Sequence, residues 1–180
     1  MKGNYCFTVA SLPSLSFTEP PPLSSEDFLS KCEIELSLSD HHVLKLASLL
    51  PKRSQKTIPQ VLKKWYEWEQ NIRNELVRLR AGKMGKDARA YIRGESSEYS
   101  ALFLAHEIFN ADSPLSAQDM LDHARWKYLE ELELGHYFDL EKLIIYYLKL
   151  QILEQRSLFN KEEGQKRVEE LLEQVKEKLP

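Results

Sequence analysis

The residues of this 180-residue chain that could do acid–base or metal chemistry are five histidines and a spread of carboxylates, and spacing decides what they can do. His106-Glu107 begins the H-E-x-x-H pattern, in which two histidines one helical turn apart hold zinc and the glutamate acts as base. Position 110 is Asn110, so the second ligand is missing. His106, beside Phe103 and Phe109, is expected at the edge of a core. His41 and His42 are adjacent. On a helix neighbouring side chains diverge by about 100°, which does not suit chelation of one ion. They read as ordinary surface residues. Asp119, Asp122 and His123 fall in the first turns of one helix, where the dipole already favours an acid. Acid–base work there would need a group from another segment. No glycine-rich phosphate cradle is present. Cys6 and Cys32 fit no ligand spacing and are expected as two buried thiols. The residues predict no catalytic site, no metal and no cofactor.

The charged feature that stands out is basic. Arg73, Arg78, Arg80, Lys83, Lys86, Arg89 and Arg93 face only Glu75 and Asp87 across residues 73–93. That segment is a solvated face or a dock for an acidic protein surface. Nucleic acid fits less well, because Trp65 and Trp68 lie on an apolar stripe and are not interleaved with the cations.

These residues must be positioned by helices. Glycine is scarce (6), the 8 prolines cluster, and Leu, Glu, Lys, Arg and Ala fill the long unbroken segments. Tyr5, Phe7 and Val9 alternate with small or polar residues as in a short strand, and the same run fits one or two helical turns. Residues 12–23, ending in Pro20-Pro21-Pro22, read as an extended arm packed on the body by Leu12, Leu15, Phe17 and Leu23.

A helix follows Ser24 or Ser25 and buries Phe28, Leu29 and Cys32. Another starts after Ser39, sets Val43, Leu44, Ala47 and Leu50 on one face, and stops at Pro51. A basic loop follows, with Lys52, Arg53 and Lys56. Thr57 and Gln60 have capping-box spacing, with Pro59 in the first turn. From there Val61, Trp65, Trp68, Ile72, Leu76 and Leu79 form a helical stripe. Lys63, Lys64, Glu67, Gln70, Asn71, Asn74 and Arg78 cover the other side. Glu69 and Arg73 have i,i+4 spacing, and Gly82 closes the helix. Residues 97–111 form a helix using Tyr99, Leu102, Phe103 and Phe109. A helix begun at Ser113 or Ser116 runs to Gly135 with Met120, Leu121, Ala124, Tyr128 and Leu132 inward. Asp139 caps a helix over 140–159 that is apolar nearly all round, and so central. Beyond Gly164 a charged helix carries a narrow seam: Val168, Leu172, Val175 and Leu179.

Composition agrees with an all-α, single-domain bundle: 42% hydrophobic and 29% charged residues suit a packed core. The expected organisation is an N-terminal segment and arm over 1–23, a bundle over 24–160, and a charged helix over 161–180. Net charge −3 argues against whole-chain nucleic-acid binding. No segment reaches the roughly 20 apolar residues of a membrane span, and no signal peptide is recognisable. The expected location is the cytoplasm.

Several blocks carry a resemblance. They are Tyr5 to Pro13, then Leu15-Ser16-Phe17; Ile72 to Leu76, then Leu79-Arg80-Ala81; Leu121-Asp122, Arg125-Trp126 and Leu129 to Leu132; Phe138-Asp139-Leu140, Tyr147 to Glu154 and Phe159. Together they resemble a small bacterial family of unknown function encoded with V-type (A/V-type) ATPase genes, itself similar to a shortened ATPase C subunit (d in the eukaryotic enzyme). The resemblance implies a C-subunit-like all-helical fold, helical at Tyr5 to Ala10. It further implies a non-catalytic subunit or accessory protein bridging the central stalk and the membrane proteolipid ring. Its partners would be those subunits, with no nucleic acid, and it would meet the inner membrane only through the complex. An assembly factor, an uncharacterised helical enzyme and a nucleic-acid-associated protein are the alternatives. The candidate interface is Arg78, Arg80, Lys83, Lys86, Arg89 and Arg93, with Val168, Leu172, Val175 and Leu179.

Overall fold

A computed structural model describes residues 5–50, 58–94 and 99–159, with the side chains of Tyr99 and Ser100 excepted. Among these residues the chain is all-helical: α1 (Cys6–Ser11), α2 (Ser25–Glu35), α3 (Leu38–Leu46), α4 (Gln60–Lys83), a 3-10 turn (Ala88–Ala90), α5 (Tyr99–Phe109), α6 (Pro114–Glu133) and α7 (Leu140–Ser157). The basic loop of Lys52, Arg53 and Lys56, the cap residue Thr57 and the seam of Val168, Leu172, Val175 and Leu179 lie outside the described residues.

The centre is α7. Its residues from Leu143 to Leu150, with Ile152 and Leu153, are all buried, as its circumferential apolarity requires. Asp139 caps it, accepting from the Lys142 amide at 3.0 Å. On one side α6 runs antiparallel to it: Glu133 at the end of α6 meets Lys142 and Lys149, and Asp119 near its start meets Arg156 at 2.6 Å. On another side α2 packs through Phe28, which stacks on Tyr146 and Tyr147 at 5.2 and 5.5 Å, and α3 buries Leu44. The stripe of α4 is buried from Val61 to Leu76. Its Trp65 and Trp68 stack on Tyr128 of α6, Trp68 at 4.6 Å and 7° between planes. Such aromatic pairs contribute about 0.5–1.5 kcal/mol beyond area burial. The two tryptophans are therefore committed to the core.

The arm packs as expected. Leu12, Leu15, Phe17 and Leu23 lie against the core, and the Tyr146 hydroxyl donates to the Pro13 carbonyl at 3.0 Å. Phe17 meets Trp126 and His123 edge-on, and the Arg156 guanidinium lies 4.0 Å from its centroid.

Residues 6–11 are helical, the second of the two readings the alternation allowed and the one the resemblance implied: this stretch closes its own turn, the Val9 amide reaching the Tyr5 carbonyl at 2.9 Å. The structure corrects several expectations. Helix α3 begins two residues early, because the Ser37 hydroxyl accepts the Asp40 amide at 3.2 Å. Leu50 lies past the end of α3 and is 51% exposed. Gly82 lies inside α4. The terminator is Gly85, at φ 63°, with Lys86 N–H reaching Ala81 O and Gly85 N–H reaching Gly82 O, the paired bonds of a Schellman end. In α5 the inward residues are Ala101, Ala105 and Ile108, while Leu102 and Phe103 are exposed. Alanine lets α5 approach α4 closely. The inward face of α6 is Asp122, Arg125, Trp126 and Leu129, offset from the predicted one, whose residues are half-buried. Cys6 is exposed, and only Cys32 is a buried thiol. His106 is exposed, not at a core edge; among the adjacent pair His42 is exposed and His41 half-buried.

Candidate protein-binding surface

The basic segment is built by the way α4 ends. The Schellman turn at Gly85 reverses the chain, Asp87 caps the 3-10 turn by accepting the Arg89 amide at 2.9 Å, and the segment returns along α4. Asn74, placed on the solvent side by patterning, is buried because it clamps this return. Its amide donates to the Arg93 carbonyl at 2.8 Å and its oxygen accepts the Arg93 amide at 3.1 Å. Gln70 donates to the same oxygen at 3.0 Å.

Arg80 and Lys83 at the end of α4, and Lys86, Arg89 and Arg93 on the clamped return, are all exposed. None of the five has an acidic side-chain partner among the described residues. Lys83 instead sits 5.6 Å from the centroid of Phe109. Arg78, the sixth predicted interface cation, is tied to Glu75, and Arg73 donates to Glu69 at 2.8 Å. Residues 73–93 hold seven basic and two acidic residues, +5, in a chain of net −3, so the remainder carries −8. Charge of that asymmetry orients encounters with a charged partner.

Between α4 and the returning segment lies a groove of about 320 Å³, lined by Leu50, Gln70, Arg73, Asn74, Val77, Tyr91 and Arg93. Its apolar lining is Leu50, which patterning put on an inward helix face, with Val77 and Tyr91. Tyr91 is 59% exposed and Met84, on the same segment, 62%. Only contact between distant segments makes this groove, so spacing gave no signal for it beyond the excess of cations.

The other ionisable clusters are used within the fold. Arg125 of α6 is buried and donates to Glu69 of α4 through Nε (3.0 Å) and Nη2 (2.6 Å), and to Asp122 through Nη1 (3.0 Å). Burial opposes its charge, but the two carboxylates outweigh that and raise its pKa. Asp122 also accepts from Gln118 at 2.9 Å. The expected Glu69–Arg73 pair is thus one edge of a buried network. Glu133 takes both Lys142 and Lys149 beside a cavity of about 350 Å³ under the arm. Burial would push its pKa up, and the two lysines bring it below the ordinary value. Burial pushes the Cys32 thiol up to about 12, which makes it a poor nucleophile.

Sequence spacing missed one juxtaposition: His136, Asp139 and Glu141 each bring a donor atom within 4.8 Å of the others. His136 Nδ1 and Asp139 are already paired at 2.6 Å, and the other Asp139 oxygen caps α7. The positive end of that helix dipole disfavours a cation. Asp119 meets Arg156, Asp122 meets Arg125 and His123 meets Phe17, so these three do not converge on one point.

Among comparisons with known proteins, the sequence profile of a family described as "Protein of unknown function (DUF2764)" matches residues 100–179. That span takes in α5, α6 and α7 and leaves out the basic segment. No curated protein and no solved structure matches the chain.

Proposed function

We propose that this chain is a non-catalytic binding protein that engages an acidic protein surface through Arg80, Lys83, Lys86, Arg89 and Arg93. One observation carries the reading. Five exposed cations follow one another along the end of α4 and its clamped return, without acidic partners among the described residues, in a chain of net negative charge elsewhere. A face of that kind raises association rates and selects partners by sign more than it adds affinity. The buried Glu69, Asp122, Arg125 and Lys149, by contrast, are engaged in the ion pairs that join α4, α6 and α7.

The partner we propose, from the sequence resemblance, is a V-type ATPase, with the chain bridging central stalk and proteolipid ring as a subunit or accessory protein. No described helix is long and apolar enough to cross a membrane, so this role would bring the chain to a membrane by contact with the complex. The test is affinity purification of the tagged protein from its native membranes in mild detergent. Stalk and ring subunits in fixed stoichiometry support a subunit. Partial complexes alone indicate an assembly factor. Intact ATPase purified without the chain overturns the assignment.

A further inference from the structure

The groove beside the basic stretch narrows the chemistry of the partner. We infer that the slot between α4 and the Tyr91–Arg93 return takes an acidic polypeptide segment carrying an aliphatic side chain: a carboxylate on Arg93, the aliphatic group between Leu50, Val77 and Tyr91. This deepens the proposed function and rests on its reading of the basic face.

Three properties of the slot support it. Its chemistry is mixed: Arg73 and Arg93 supply positive charge, while Leu50, Val77 and the Tyr91 ring supply an apolar surface. Arg73 is engaged by Glu69, while Arg93 has no acidic partner among the described residues and is the cation assigned to an incoming anion. Its size is that of one or two side chains; about 320 Å³ is at the lower limit of cofactor pockets, about 300–1,000 Å³. The wall is also prepared before binding. Asn74 holds both backbone polar groups of Arg93, so ordering this segment is not charged against association.

A protein segment fits better than a nucleic acid. A single-stranded site needs successive stacking platforms along a basic track. Among the described residues Tyr91 is the one aromatic lining the slot, and Trp65 and Trp68 are stacked in the core.

The test is fluorescence anisotropy on the full chain with three labelled probes: a peptide of repeating Glu-Glu-Leu triplets, the same peptide with Ser for Leu, and a short oligothymidylate. The Glu-Glu-Leu peptide should bind saturably. Arg93→Glu should weaken it about tenfold and Tyr91→Ala about fivefold, and replacing Leu by Ser should cost a similar factor. Lys127→Glu, on the exposed face of α6, should change it less than about twofold. All three substituted residues are exposed, so the variants should keep the wild-type fold. Equal losses in Arg93→Glu and Lys127→Glu, indifference to Leu and Tyr91, or no peptide binding would overturn the slot. Tighter, Arg93-dependent binding of oligothymidylate would overturn it in favour of nucleic acid. The two levels separate cleanly. If Arg89→Glu abolishes ATPase capture while Tyr91→Ala and the Leu-to-Ser peptide change nothing, the slot fails and the basic face stands. If the slot binds its peptide and no ATPase is captured, the partner assignment fails.

Discussion

Arg125→Ala tests the claim that buried charge joins α4 to α6. The wild-type guanidinium is 2% exposed and makes three hydrogen bonds to two carboxylates that are each 1% exposed. Removing it leaves Glu69 with Arg73 and Asp122 with Gln118, so neither is abandoned entirely. Breaking a buried ion pair from one side costs about 3–5 kcal/mol, and the remaining partners place this case near the lower figure, at about 3. Against a typical total of about 5–15 kcal/mol that is a large fraction. With a urea slope of about 2 kcal/mol/M, the unfolding midpoint should fall by about 1.5 M. The assay is urea unfolding followed by circular dichroism and by tryptophan fluorescence, with Arg156→Ala as the exposed-pair control, expected to cost about 1 kcal/mol or less. Replacing Glu69, Asp122 and Arg125 together by Leu, Leu and Met should recover most of the loss, because no unpaired charge remains buried, Arg73 being partly open to solvent. If Arg125→Ala costs no more than Arg156→Ala, the network does not hold these helices.

Further outcomes follow from named residues. Cys6 should react with a maleimide in the native protein and Cys32 only after unfolding, read by mass spectrometry; equal rates would contradict the burial of Cys32. The Glu133 and Asp139 carboxyls lie below their ordinary values of 4.5 and 3.8, since hydrogen bonds from Lys142 and Lys149, and from His136, outweigh burial. The unfolded chain then holds more protons below those values, so this stability is complete above about pH 5 and is lost as pH falls through the folded values. Glu133→Gln should flatten that acid limb of urea midpoint against pH, and an unchanged limb would refute it. Gly85→Ala should cost about 1 kcal/mol in thermal or urea unfolding. Open space surrounds the site of a Cβ there, so the cost arises from φ 63° alone; no loss would contradict the Schellman end.

Much of the fold was legible because periodicity and capping are local. The stripe of α4, the all-round apolarity of α7 and the cap at Asp139 needed no tertiary knowledge, and the caps at Ser24 and Ser113 were each narrowed to two serines. Patterning failed where it equates charge with solvent. Asp122 and Arg125 face the core because Glu69 arrives from another helix, and Asn74 is buried by a return segment that spacing does not announce. It failed again on α5, where large residues were taken as the inner face and close packing selected alanine. Of the surface, the cations were visible as an excess of one sign. The groove beside them was not, since Leu50 and Tyr91 lie 41 positions apart.

The most direct measurement is site-specific photocross-linking in native membranes, with a benzophenone amino acid at position 86 or 89 and, as control, at position 127. Cross-links from 86 and 89 to acidic segments of ATPase stalk or ring subunits, with none from 127, are the predicted result. Cross-links from 127 alone, or none to the ATPase from any position, would contradict the account.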